Sequence, residues 1–417
     1  MKRPRWISSR WILRRLVTLP AIPFALVLPV VACMLDRWVK VRFGSMESTR
    51  IGHFSGNVEL ALCQLERERQ SDHRPLVVLA CVRNPIEHGS VSNLFLAELW
   101  SRRMVVLPWW LLGPAISVNR KLFGTTSKFE IFNNTDRDVN RLLDDIPQSV
   151  FLTQDEIDLG WKSLEQFGIP RGALFVVIVA RDRGYLLNRE PHRDFSYHDY
   201  RNADINTFAS AAMFLVEKGY FVIRIGRDVE TRFEVQHPMV FDYSHSGIQS
   251  DFLDVFLVSE CNFMVSTQTG IDSVAHFVFR KPTLMVNVAP VGVVLSSRVW
   301  CMATFKRFVD KVSGSELSLE QLGERNLIME TKSIDFLDEQ VSVVDNTADE
   351  IRDAVEDMVL MLREGGMHHS SAEQSRFAQA LKEVMGERYG EYHGDFCVQI
   401  GPRFLSSSGL IGSREKF

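Results

Sequence analysis

In HDYRNADINTF, residues 198–208, consecutive positions hold an imidazole (His198), two carboxylates (Asp199, Asp204), a guanidinium (Arg201) and two side-chain amides (Asn202, Asn206) before the pattern turns apolar. A guanidinium offers paired donors to phosphate oxygens. Carboxylates and amides bond sugar hydroxyls. The stretch closes an excursion that begins at Arg181 and carries five arginines, while its aspartates hold the local field near neutral. The group therefore suits an anionic sugar ligand, with Arg181 and Arg201 on phosphate and Asn202 on hydroxyls or on loop order. Asn202 or Asp204 equally suits the cap of a helix starting near Ile205. For any one of these residues taken alone, a solvated loop is as good an account.

Three other patterns carry chemistry. In VIRIG (222–226), Arg224 sits inside an apolar run, where an unpaired charge is costly. Either a carboxylate such as Asp242 or a ligand phosphate has to meet it. In VSTQTGIDSVAHF (265–277) an apolar run passes through Ser266, Thr267, Thr269 and Gly270 into a helical pattern. Hydroxyls and free amides at a helix start can hold a diphosphate, although Thr269 can also be a plain helix cap. In RIGHFSGNVELAL (50–62), His53 and Glu59 are the candidate acid/base pair, since imidazole titrates near neutrality and a buried carboxylate can be tuned upward. Both could instead be packing residues.

Positioning these groups requires parallel strands with crossover helices. PLVVLACV (75–82) and RMVVLP (103–108) are short apolar runs bounded by breakers, and SVSNLFLAELWSRR between them has helical spacing, which together predict a βαβ unit. A second series follows: strands at 173–180, 220–226, 262–267 and 282–288, and helices at 206–219, 250–261 and 270–279. This alternation predicts a doubly wound α/β domain, whose ligands gather at the carboxyl ends of the strands. Thr347 and Glu350 have the spacing of a capping box.

The chain has 417 residues, a formal charge of −4 and 46% hydrophobic residues, which suits two globular domains and does not favour a nucleic-acid partner. Its 6 cysteines are scattered, without metal-ligand spacing, and read as reduced core thiols. The amino terminus differs. Residues 1–15 carry six basic side chains and no acid, and residues 16–35 carry no charge. Twenty uncharged residues can span a bilayer. Pro20, Pro23 and Pro29 interrupt the stretch, however, and positive charge returns at Arg37, Lys40 and Arg42. These flanks predict a membrane-associated segment that enters and returns or lies in the interface, with the body of the protein on the cytoplasmic side. A spanning helix, an export signal and a buried core helix are the alternatives.

Taken together, RIGHFSGNVEL, ARDRGY, HDYRNADINTF, KGYFVIRIGR, the run DYSHSGIQSDFLDVFLVSECNFMVSTQTGIDSVAHF, KPTLMVN, DNTADEI and VQIGPRFL resemble a bacterial family of glycosyltransferases over about residues 49–405. The turn at Ser266–Gly270 looks like the donor-diphosphate turn of heptosyltransferases, and the arginine-rich loop is similar to that of fucosyltransferases. The resemblance implies a GT-B-like α/β fold: two Rossmann-like doubly wound domains facing a cleft, preceded by the membrane-associated segment. The expected division is 1–45 for that segment, 46–160 for the acceptor-side domain, 161–365 for the nucleotide-sugar domain and 366–417 for a terminal helix and tail packing back toward the first domain. It further implies metal-independent sugar transfer, without a cofactor, from a nucleotide-sugar donor to a lipid-linked or cell-envelope polysaccharide acceptor. Donor binding falls to Arg181, Arg201, Asn202, Arg224, Asp242, Ser266, Thr267, Thr269 and Gly270, and the base to His53 or Glu59. Ala180 stands where such relatives often carry a histidine, so no role is carried over there. A nucleotide-sugar epimerase or hydrolase and a non-catalytic membrane-attached polysaccharide assembly protein are the alternative readings.

Overall fold

The computed structural model describes residues 19–132, 137–189, 194–296, 298, 300–365 and 371–412. The chain divides into two compact units, residues 1–136 with 145–151, and residues 137–144 with 152–417.

The first unit carries a parallel sheet of three strands, β1 (Lys40–Met46), β2 (Leu76–Val82) and β3 (Val105–Val106), in the order β1-β2-β3. Helix Ile51–Ser71 crosses from β1 to β2, and helix Leu94–Ser101 from β2 to β3. Its sheet is smaller than the doubly wound one expected. The run at 103–108 yields only a two-residue strand, because Pro108 has no N–H for a ladder and Val105 and Val106 are left exposed at the sheet's edge.

The boundary expected at residue 45 falls inside β1. Lys40 and Arg42 are buried strand residues paired with Asp72 (3.0 Å) and Asp36 (3.1 Å), so their charges are met within the first unit. Before them, helix Ile22–Leu35 packs Ala25, Leu28 and Ala32 against Leu112, Ala115 and Ile116 of helix Trp109–Phe123. Among the described residues no helix is long and apolar enough to cross a membrane. Residues 1–18, with the basic amino-terminal run, lie outside the described residues.

The second unit is built on seven parallel strands, β4 (Phe175–Val179), β5 (Phe221–Arg224), β6 (Val240–Asp242), β7 (Phe263–Ser266), β8 (Thr283–Val288), β9 (Cys301–Phe305) and β12 (Gln399–Ile400). β10 (Arg307–Asp310) and β11 (Val341–Val344) form a separate two-stranded antiparallel ribbon. The sheet order is β12-β9-β8-β7-β4-β5-β6. The chain thus winds outward from β4 through β5 and β6, then returns to β7 and winds the other way, as in doubly wound sheets.

β4 and β7 are buried along their whole length, as a parallel sheet covered on both faces requires. On one side Phe208, Ala212 and Leu215 meet Ile351, Val355 and Met358 over Val176 and Ile178. A second cluster gathers Phe305, Phe308, Phe377, Leu381 and Phe404. The terminal helix Ala372–Met385 places its apolar face (Phe377, Leu381, Met385) in the core of the second unit. The other boundary moves too. Trp161 of helix Gln154–Glu165 sits edge-on to Phe175 (5.8 Å) and Phe256 (6.0 Å), so this helix belongs to the second unit rather than ending the first at residue 160. Gly160 lets it close in, since a Cβ there would meet the Phe256 ring at 2.2 Å. The capping box of Thr347 and Glu350 forms as its spacing predicts.

Candidate functional site

Parallel strands present their carboxyl ends along one edge, and the crevice of such a sheet opens where the strand order reverses. That point lies between β4 and β7. The residues following Val179 and Ser266 are therefore the first place to look.

The two loops are tied to each other. The backbone N–H of Arg181 donates to Thr267 Oγ1 at 2.8 Å, and Arg201 Nη2 donates to the carbonyl of Gln268 at 2.8 Å. Gln268 takes a left-handed φ of 55°, which turns the chain sharply between the buried Thr267 and the half-buried Thr269. Ser266, also buried, donates to Asp272 Oδ2 at 2.8 Å and accepts the Thr269 N–H at 3.4 Å. Ser266 and Thr267 thus frame the turn from within. Thr269 and the exposed Gly270 form its outer surface.

The turn differs from expectation in one respect. The helix anticipated over 270–279 is largely a π-helical turn, Val274–Val278, with too few aligned peptides for a full macrodipole. The cation held against this turn is Arg201, on the Gln268 carbonyl. Below it, burial lifts the Asp272 carboxyl to about 6, opposed by the Ser266 hydroxyl and the Thr269 amide.

HDYRNADINTF becomes a 3-10 turn, Ser196–Arg201, then a second, Ile205–Phe208, leading into helix Ala209–Glu217. Its polar side chains hold this path. Asn202 donates to Asp199 Oδ1 (3.0 Å), Asp204 accepts the Asn206 N–H (2.9 Å), and the Ala203 N–H returns to the Arg181 carbonyl (3.0 Å). Of the two caps considered, Asp204 is the one used. Asn202 orders the loop. Asp182 acts similarly, accepting from Gly184 (3.0 Å) and Glu230 (2.9 Å).

Lys306, just past β9, was missed in the sequence. It is fully buried, and its Nζ donates to the Asn202 carbonyl at 2.6 Å and to Asp345. Burial lowers its pKa while Asp345 opposes the shift. The signal was available: a lysine ending the apolar run CMATF poses the same problem as Arg224 in VIRIG. Lys306, Arg181, Arg201, Asn202 and the 266–270 turn come together at the ends of β4, β7 and β9.

Arg224 does not join them. It lies at the end of β5 with its side chain 1% exposed, pairs with Asp242 Oδ1 at 3.3 Å and donates to the Thr231 carbonyl at 3.1 Å. Asp242 Oδ2 accepts the Phe233 N–H at 3.0 Å and lies 3.0 Å from His245 Nδ1. Burial lowers the Arg224 pKa and Asp242 counters it. Of the two partners considered for Arg224, the carboxylate is the one found, so neither residue is presented to a diphosphate.

In the first unit, His53 is half-buried in the first turn of helix Ile51–Ser71, beyond the carboxyl end of β1. Glu59 is fully buried, and its Oε1 accepts the Ser149 N–H at 3.0 Å and Cys63 Sγ at 3.6 Å. Six positions at about 100° each turn the two side chains roughly 120° apart. They do not form a pair. Among the described residues no group of three His, Cys, Asp or Glu side chains could hold a metal ion. The cysteines are free; Cys63, Cys81, Cys261 and Cys301 are buried.

No protein-family model matches the chain, and no curated protein matches it. Solved structures do. Escherichia coli ADP-heptose lps heptosyltransferase II aligns over 78% of this chain and 100% of its own, at 12% identity and a TM-score of 0.41. A family 9 glycosyl transferase from Veillonella parvula aligns over 77% of this chain and 97% of its own, at 11% identity and a TM-score of 0.41. E. coli heptosyltransferase WaaC with ADP-2-deoxy-2-fluoro heptose aligns over 59% of this chain and 89% of its own, at 12% identity and a TM-score of 0.28. At these values none of them transfers a substrate or a residue role to this chain.

Proposed function

We propose that the chain is a glycosyltransferase that moves a sugar from a nucleoside-diphosphate donor to a lipid-linked or cell-envelope polysaccharide acceptor, at the cytoplasmic face of a bacterial inner membrane. The observation that carries this reading is the convergence of Arg181, Arg201 and the Thr267–Gly270 turn where the order of the doubly wound sheet reverses. Ligands of such sheets bind at that place, and a leaving diphosphate needs cations and backbone donors as its negative charge grows.

In this mechanism the Arg201 guanidinium, already turned to the Gln268 carbonyl, meets the diphosphate from one side. The outer amides of the turn, with the Thr269 hydroxyl, meet it from the other. Lys306 holds the Asn202 carbonyl and so fixes the stretch that carries Arg201. His53 takes the proton from the acceptor hydroxyl as the sugar–oxygen bond forms. Charge stabilisation falls to side chains and amides, so no metal is assigned to the step.

Incubating the purified chain with a panel of nucleotide sugars and a membrane lipid extract, with and without EDTA, tests the reading. Release of nucleoside diphosphate that requires both donor and extract, and survives EDTA, is the expected result. Release without extract points to a hydrolase, and conversion of a donor to its epimer without release points to an epimerase. Binding of nucleoside diphosphate with neither release nor conversion of any donor overturns enzymatic transfer and leaves an assembly protein.

A further inference from the structure

Helix Ile22–Leu35 has two unlike faces. Ala25, Leu28, Pro29 and Ala32 face inward, while Ile22, Leu26, Val27, Val30, Val31, Met34 and Leu35 are exposed. Leu26 is 55% exposed, Val27 56% and Met34 69%, and Trp38, 62% exposed, extends the row past the helix end. Water-facing aliphatic side chains in an unbroken row along a helix need a covering. The inward face is committed to helix Trp109–Phe123 and strand β1, so the helix is held against the body of its unit. Fourteen residues also rise only about 21 Å, short of the roughly 30 Å hydrocarbon core.

The charges nearby indicate what covers it. Residues 16–35 carry no charge. At the carboxyl end of the helix, Arg37 is exposed beside the Trp38 ring, 6.0 Å from its centroid. Asp36, the one acid between residues 16 and 46, is already met by Arg42 at 3.1 Å and Lys128 at 2.6 Å. Lys128 lies over the Phe129 ring, which packs edge-on against the exposed Phe123, and Phe123 follows the exposed Lys121 and Leu122. Exposed apolar side chains, an indole and the exposed Arg37 cation therefore lie together at the carboxyl end of the helix, where the nearby acid, Asp36, is already met. The six basic residues within 1–15 add to the same sign.

We propose that this face lies on an anionic lipid bilayer, with helix Ile22–Leu35 parallel to the surface, its aliphatic row in the acyl boundary, Trp38 at the headgroups, and Arg37 against lipid phosphates. Aliphatic burial supplies the affinity of such helices and basic flanks select anionic lipid. The inference does not rest on sugar transfer, because it uses only the first unit.

The test uses the full chain and the double variant Leu26→Asp/Val27→Asp, floated with vesicles of phosphatidylcholine alone or with phosphatidylglycerol. Both positions face water, so the variant keeps the wild-type melting curve. Wild-type protein is expected to float with the anionic vesicles, less in high salt and little with neutral ones, with a blue shift in tryptophan emission that Trp38→Phe diminishes. The double variant loses roughly tenfold or more of this partitioning while its basic amino terminus remains. Equal binding by the variant assigns the contact to the basic terminus and overturns the proposal. So does failure of wild type to float, or a wild-type dimer in lipid-free buffer that the variant dissociates, which makes a second copy the occupant.

Discussion

The Arg181 N–H and Thr267 Oγ1, 2.8 Å apart, join the first loop of the second unit's sheet to the loop that begins its second half. Thr267 is buried, so a neighbouring water cannot readily replace its hydroxyl. Thr267→Val keeps the shape but strands that N–H, which costs about 1–2 kcal/mol. The urea midpoint should fall accordingly, nucleoside-diphosphate binding should weaken, and Thr267→Ser should restore both. A valine variant with unchanged stability and affinity would show that the tie is incidental.

Two arginines that look alike in sequence should part in experiment. Arg201→Ala removes a cation at the turn's surface and is expected to lower nucleoside-diphosphate affinity by roughly tenfold or more, with a stability change within about 1 kcal/mol. Arg224→Met instead leaves Asp242 facing a buried apolar group, at a cost of about 3 kcal/mol, and spares affinity in the folded protein. Calorimetry beside urea melts separates the two. Equal affinity losses would return Arg224 to the donor site.

The winding of the second unit was legible because its buried strands are continuous apolar runs bounded by breakers, and the ligand edge followed from that winding. Side-chain partnerships were less so. Arg224 in an apolar strand announces that a counter-charge exists, but sequence cannot say whether protein or ligand supplies it. The structure supplies Asp242, eighteen residues on. Lys306 posed the same question and went unnoticed, since its partners, Asn202 and Asp345, lie far away along the chain. The exposed apolar face of helix Ile22–Leu35 was hidden for a different reason: both faces are apolar, so no period in the residue types separates the packed side from the exposed one. The helix Gln154–Glu165 was visible, but its unit depended on Trp161 finding Phe175 and Phe256.

Lys306 donates to the Asn202 carbonyl, and in the proposed mechanism it acts on the site through that contact. Replacing a buried charge by an apolar group of similar volume is often neutral for stability, and Asp345, partly exposed, can be rehydrated. Lys306→Met should therefore melt close to wild type while amide exchange across 198–204 speeds up and nucleoside-diphosphate affinity falls. Unchanged exchange in that stretch would remove Lys306 from any positioning role.

Asp272 should make stability depend on pH in an unusual direction for a carboxylate. Its pKa rises from 3.8 to about 6, chiefly through burial, so the folded state holds the proton more tightly than the unfolded chain. The protonated form is favoured below about pH 4, and its stabilisation is lost as pH rises from there through 6, by a few kcal/mol at most (about 1.4 kcal/mol per unit). Asp272→Asn has no such proton to lose. Urea melts at pH 4 and pH 7 should show wild type losing stability relative to the variant as pH rises; a constant difference would mean that the carboxyl titrates normally.

His53 and Glu59 offer the last contrast. A general base contributes on the order of 10²–10⁴ to rate, so His53→Ala should lower kcat for sugar transfer within that range while leaving nucleoside-diphosphate affinity and the melting midpoint unchanged. Glu59, buried and bonded to the Ser149 N–H, is a support of the first unit. Glu59→Ala strands that donor and opens a cavity, and should cost about 2–4 kcal/mol with only a secondary effect on kcat in the folded fraction. If Glu59→Gln, which still accepts from Ser149, lowers kcat as far as His53→Ala does, the base is Glu59 and the assignment of His53 fails.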